Sequence, residues 1–304
     1  MRLGSSRART GLLFATVSAV AFGTVAILAK FAYEQGATPL PLLAVRFLAA
    51  ALLLEGFRRA VKSNRHVSGP RLGRPRADWW RRPVVRMLML GAFGYGLESA
   101  LYFAALERAP ASVVGLVFYS YPLWTNIIGF ATGLEQFGPR PIVALGLGGS
   151  GVALVFSLGE VNAAGLLLAL AAAIAVAVYF VTAQVLVRGV DPVDAAVYTA
   201  AGAAVALGVC SLVTVQGIPA AALPWAGAIG LVTAIAFITM YSALVRLGSA
   251  RTSIAQMLEP VATVLLAAVF LAEPITGKVV LGAALIVSAL PILATGKARA
   301  QDVE

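Results

Sequence analysis

Four ionisable side chains interrupt the long apolar runs of this chain: Lys30, Arg46, Glu98 and Glu259. A charge at the centre of a bilayer costs about 2.5–3.5 kcal/mol even on a lenient insertion scale, so each needs a partner or a wet cavity. Counted from the outer ends of their helices, Arg46 and Glu98 both fall roughly 10–12 Å deep. An Arg46–Glu98 ion pair is therefore feasible, with Lys30 above it nearer the surface. Such a network is either a static bridge fixing the first three spans or a device for substrate and gating. Glu259 has no cation expected at its depth, roughly 13 Å in from the cytoplasmic end of its helix. Pro260 follows it, and the missing N–H leaves one carbonyl free and favours a kink. Gln256 and Thr263, at i−3 and i+4, share its face. A carboxylate so placed can couple protonation to transport, hold a substrate ammonium group, or donate a hydrogen bond between helices when protonated.

Aromatic residues accompany these charges. Tyr119, Pro122 and Asn126 stand at i, i+3 and i+7, so they line one side of a helix, with Tyr121 and Trp124 nearby. Gly91, Tyr95, Glu98 and Tyr102 make a second stripe. Aromatic walls with a few polar groups suit a small amphipathic ligand, although ordinary packing explains any single tyrosine equally well. Other chemistry has little footing. One histidine, His66, and one cysteine, Cys210, make neither a His/Cys metal cluster nor an internal disulfide. An enzyme should show a nucleophile–base pair or metal ligands; the expectation is no enzyme, no metal and no cofactor. The glycine run Gly146–Gly151 matches a dinucleotide fingerprint but sits inside an apolar span, without the strand that motif needs.

The elements that must carry these side chains are ten apolar stretches: 11–33, 38–57, 84–106, 110–134, 139–157, 163–187, 192–215, 222–246, 250–272 and 275–295. Each approaches the roughly 20 residues that a spanning helix needs. The composition agrees: 60% hydrophobic, 12% charged, mean hydropathy +0.91. Continuous apolarity without period-2 alternation means helices, not a barrel. The fold class is an all-α polytopic membrane protein.

Charge orients it. Ten Lys and Arg residues from Arg58 to Arg86 share one connection, the basic loop 58–83 and its edges, opposed only by Asp78. Basic loops stay cytoplasmic, which places both termini inside and the chain in the cytoplasmic membrane. The same loop explains the +10 net charge through topology and anionic headgroups, so no nucleic-acid partner is expected. The apolar run after Arg9 continues to Ala32, past the small residues of a cleavage site, so the first span is expected to stay uncleaved.

The chain also repeats itself weakly. Shifted by 138 residues, Tyr102–Gly138 lies over Met240–Thr276; Pro122 meets Pro260, Glu135 meets Glu273 and Arg140 meets Lys278. Spans before these need an offset near 154. Glu135, Arg140, Glu273 and Lys278 fall at helix ends, where capping and pairing between helices is their expected job. Five spans per half is an odd number, so residues 1–157 and 158–304 must insert in opposite orientations. Inverted repeats with a binding site near the midplane are a secondary-transporter architecture.

In the first half, Phe22-Gly23-Thr24, Lys30, Pro39, Arg46-Phe47, Pro110-Ala111-Ser112, Phe118–Pro122 and Glu135 resemble the EamA type of the drug/metabolite transporter superfamily. Leu258-Glu259-Pro260-Val261 and Leu271-Ala272-Glu273 resemble it in the second half, with Ala272 where the family usually has Gly. The resemblance implies ten spans in two inverted five-helix halves around a central cavity, moving small metabolites, often outward. Amino acids or related compounds, exported with proton or exchange coupling, are the expected cargo. A drug or nucleotide-related solute is the alternative within the family, and lipid handling or intramembrane catalysis the alternative outside it. Substrate, bilayer and H+ are the expected partners, and a monomer can enclose the path.

Overall fold

The computed structural model describes residues 6–63, 82–132, 162–187, 189–214, 217–247 and 258–272, with isolated positions at 143–150, 252–256 and 275–288. Every regular element among the described residues is helical: α1 Ser6–Glu34, α2 Pro39–Ser63, α3 Pro83–Arg108, α4 Ala111–Phe118 and α5 Tyr121–Ala131 in the first half. The second half contributes α6 Ala163–Leu186, α7 Pro192–Val213, α8 Leu223–Leu247 and α9 Leu258–Phe270. Among the described residues, seven stretches are long and apolar enough to cross a membrane. The chain is a polytopic helical membrane protein. The expected spans 139–157 and 275–295 lie almost wholly outside the described residues, as do 64–81 of the basic loop and Glu135, Arg140, Glu273 and Lys278.

Local chemistry sets the helix ends. After α1 the chain turns at Gly36, φ +80, and Ala37 N–H reaches back to the Ala32 carbonyl at 3.1 Å. That six-to-one closure needs a left-handed residue, which glycine supplies at no steric cost. Asn162 caps α6 by accepting from the N–H groups of Ala164 and Gly165, at 2.9 and 3.4 Å. Asp191 does the same for α7 from Val193 N–H at 2.8 Å, with Pro192 in the first turn. Ala272, just past α9, sits at φ +52 in the left-handed region that favours glycine. The Gly that the resemblance leads one to expect there would adopt this backbone without steric cost.

Helices of the two halves interleave. α1 packs on α8 and α9, α2 on α7 and α8, and α3 on α6 and α7, while α4 and α5 meet α6, and α4 also meets α9. The α3–α7 seam is the closest. A Cβ on Gly91 would stand 2.0 Å from the Thr199 carbonyl oxygen, and one on Gly202 equally near that of Leu88. Only glycine permits such backbone-to-backbone contact. Within α3, Leu90–Tyr95 form a π-turn, which inserts an extra residue into the helical register. Gly91 consequently faces α7 and does not share the face of Tyr95, Glu98 and Tyr102, correcting the four-residue stripe expected from even spacing. Behind that seam, Tyr241 Oη lies 2.6 Å from Tyr179 Oη and 3.0 Å from Thr199 Oγ1, tying α6, α7 and α8 together.

Candidate functional site

The fourth span is not one helix. α4 stops at Phe118 and α5 restarts at Tyr121, with a turn at Tyr119–Ser120. Pro122 has no N–H to give and disfavours helical backbone at the residue before it, so it belongs in the first turn of a new helix. In the second half Gln256 is in a turn, Glu259 N–H bonds back to the Gln256 carbonyl at 3.0 Å, and α9 runs from Leu258, two residues before Pro260. Pro122 and Pro260 therefore mark helix starts, a sharper break than the kinks expected of them.

Between these two starts lies a small, partly open cavity lined from both halves. Its polar members are Arg46, Glu98, Ser99, Gln256 and Glu259. Tyr95, Tyr102 and Tyr121 line it with Phe22, Phe118 and Phe180 among its apolar walls. Rings pack edge to face on the lining and just behind it: Phe118 on Tyr102 at 4.8 Å, and Tyr95 on Phe47, itself off the lining, at 5.8 Å. Phe180 stacks on Tyr121 at 5.4 Å, nearly parallel. Such contacts hold aromatic walls rigidly enough to shape a ligand site.

Arg46 is 3% exposed, and its partner is not the expected one. Its Nε donates to Thr233 Oγ1 at 2.8 Å, and its guanidinium lies over the rings of Phe47 and Phe103 at 4.6 and 5.0 Å. No ion pair within 4 Å joins it to Glu98 among the described residues, although both side chains line the cavity. Glu98 accepts from Ser99 Oγ at 3.0 Å. Depth counting had matched their levels, but it carries no information on the lateral distance between helices.

Lys30 stands apart from both. Its ammonium donates to the carbonyls of Leu106 and Ala109, the latter at 2.7 Å. Those carbonyls close the end of α3, where unsatisfied acceptors and the helix dipole favour a cation. Lys30 does not line the cavity, so the three-membered charge network reduces there to Arg46 and Glu98.

Gln256 is held by a relay. Its Nε2 donates to Ser18 Oγ at 3.0 Å, and Ser18 donates in turn to the Ala236 carbonyl at 3.0 Å. Gln256 Oε1 is buried without a hydrogen-bond partner among the described residues. Glu259, partly buried, shares the cavity with Gln256. Of the remaining candidates, Tyr119 is buried at the α4–α5 turn and packs on Phe118 and Tyr121 at 5.7 and 5.9 Å, off the lining. Trp124 donates to Ser120 Oγ at 3.2 Å, also off the lining. Asn126 is in α5, but its side chain lies outside the described residues. The stripe through Tyr119 presumed an unbroken helix; the break turns Phe118 and Tyr121 inward instead. Sequence reasoning did not single out Phe22, Phe118, Phe180 or Met240 as site residues: the first two entered only through the motifs of the resemblance, and the apolar character of the others distinguishes them from no other core residue.

A contrasting charge cluster closes α2 against α7. Arg58 meets Glu55 at 2.6 Å, Asp194 at 3.4 Å and the Tyr198 hydroxyl at 2.7 Å, and Arg59 joins Glu55 at 2.7 Å.

Comparison with known proteins gives the site its context. A chain from Bacillus subtilis (strain 168), described as an uncharacterized transporter YcbK, is 27% identical over 291 residues, spanning 88% of this chain and 86% of that one. A solved crystal structure shares the fold with a TM-score of 0.66 at 23% identity, covering 94% of this chain and 96% of the other. The model of the EamA-like transporter family matches residues 9–157 and again 163–295, nearly the whole length. Matched by that model in both halves, the chain belongs to the EamA-like transporter family, a membrane transporter of the drug/metabolite transporter superfamily.

Proposed function

We propose that this protein is a secondary transporter of the cytoplasmic membrane, carrying small metabolites by alternating access of two inverted five-helix halves, 1–157 and 158–304. The observation that carries the reading is the cavity itself. Arg46, Glu98 and Glu259 converge on one aromatic-lined space bounded by helices of both halves. Burying charge in a membrane is costly, and a cargo that replaces the missing counter-charges is a reason to keep it.

Packing supports the inverted halves. Exchange each helix for its counterpart, and α1 on α8 becomes α6 on α3, while α2 on α8 becomes α7 on α3. Both members of each exchange are present, as a two-fold axis in the membrane plane requires. Amino acids or related amino compounds are the cargo we favour, with Glu259 facing the ammonium group that they share. Two carboxylates against one guanidinium argue against a nucleotide-like polyanion. Export, coupled to proton entry or to exchange, follows from a carboxylate able to hold either a proton or a cation.

Purified protein in liposomes, preloaded with an amino-acid panel and given an inward proton gradient, tests this. The reading requires gradient-dependent efflux of at least one amino compound. Lipid movement without flux of any soluble metabolite would replace it with the lipid-handling alternative.

A further inference from the structure

Aligning the cavity's two walls shows that they are not chemically equivalent. At an offset of 138 residues, Phe118 corresponds to Gln256, Tyr121 to Glu259 and Tyr102 to Met240, and all six line the cavity. Phe22 and Val176, related by 154, do so as well. At the two helix starts the first half therefore presents aromatic rings where the second half presents an amide and a carboxylate.

The orientation of that amide is fixed by its partners. Ser18 spends its one hydroxyl proton on the Ala236 carbonyl, so it can only accept from Gln256, which must offer its NH2 to Ser18. The oxygen is left over, buried and without a partner among the described residues. Gln256, with its unpartnered Oε1, and Glu259 thus line the cavity together, and each carries an acceptor. Arg46 is engaged by Thr233 and by two rings, and Glu98, on the same lining, carries the opposite formal charge. What the site lacks is one positive charge with several N–H donors, beside an aromatic face.

Resting on the transporter reading above, we propose that the ligand is a primary ammonium compound of net positive charge with an apolar or aromatic body. Its –NH3+ donates to Glu259 and Gln256 Oε1, and its body lies on Phe118 and Tyr121. Charge-assisted hydrogen bonds and cation–π attraction both favour this placement. A zwitterion of the same body binds more weakly, because its carboxylate meets Glu98 and Glu259 with Arg46 already held.

Three probes of one shape separate the possibilities: phenethylamine, phenylalanine and 3-phenylpropionate, with the N,N,N-trimethyl form of the amine as a fourth. Binding to the detergent-purified wild type is read by thermal stabilisation. The proposal expects the order amine, then zwitterion, then acid. It expects the trimethyl compound, which has no N–H, to bind about tenfold more weakly than the amine. Glu259→Gln and Gln256→Met should each weaken the amine by about tenfold or more, with less effect on the acid. Phenylalanine binding more tightly than phenethylamine would overturn the proposal, as would equal binding of the amine and its trimethyl form. The wild-type comparisons decide the matter even where a variant does not fold. Amine binding without flux in liposomes would instead sink the transporter reading and leave this inference standing.

Discussion

The molecule handles charge in two ways. Where α2 meets α7, Arg58 has Glu55, Asp194 and Tyr198 within reach, and each of the three ionic side chains keeps 20–23% of its surface exposed. In the cavity, Arg46, Glu98 and Glu259 are drawn into one space, and none is within 4 Å of an opposite charge among the described residues. The first cluster satisfies itself. The second holds Arg46 by Thr233 and two ring faces and Glu98 by Ser99, at an energetic cost that packing elsewhere must offset. Charges that are already paired fasten helices; charges left incompletely paired are available to a passing solute.

That contrast can be broken by substitution. Arg46→Ala should have the largest effect, because it strips the Thr233 hydrogen bond, empties the space between two rings and leaves Glu98 without its offsetting charge. Removing one member of a buried charge set costs about 3–5 kcal/mol, so we expect a large drop in the unfolding midpoint together with lost transport. Glu259→Gln should separate the two readouts, cutting flux of an amine by about tenfold or more. Its midpoint should hold or rise, since an isolated charge has been removed. An Arg58→Gln variant is expected to lose less than about 1 kcal/mol and to keep transport within about twofold, as for other partly exposed ion pairs. A double-mutant cycle with Asp194→Asn would show coupling of similar size; coupling of several kcal/mol would make the α2–α7 cluster a gate. Smallest of all, Tyr119→Phe removes a buried hydroxyl without a hydrogen-bond partner among the described residues, so stability should change by about 1 kcal/mol at most, towards greater stability. Flux through that variant should match wild type, because Tyr119 is off the cavity lining.

Much of this was legible in the sequence, for physical reasons. Apolar runs of spanning length can only be helices in a bilayer, so α1 to α3 and α6 to α8 fall close to their expected limits. Buried charge announces itself by its cost, which is why Arg46, Glu98 and Glu259 could be singled out before any fold was known. What failed was azimuth. Three-and-a-half-residue periodicity presumes an unbroken helix, and two departures from it, the π-turn at Leu90–Tyr95 and the α4–α5 break, moved Gly91 and Tyr119 off the face expected of them. The partners of Lys30 were equally hidden, because they are backbone carbonyls more than 70 positions away that no residue type identifies.

The most direct test is amine counterflow in proteoliposomes, comparing wild type, Glu259→Gln and Arg58→Gln with phenethylamine on both sides of the membrane. The account predicts exchange in wild type and Arg58→Gln, and exchange reduced by about tenfold or more in Glu259→Gln. Equal exchange in Glu259→Gln and wild type would contradict it, and would return Glu259 to a purely structural role.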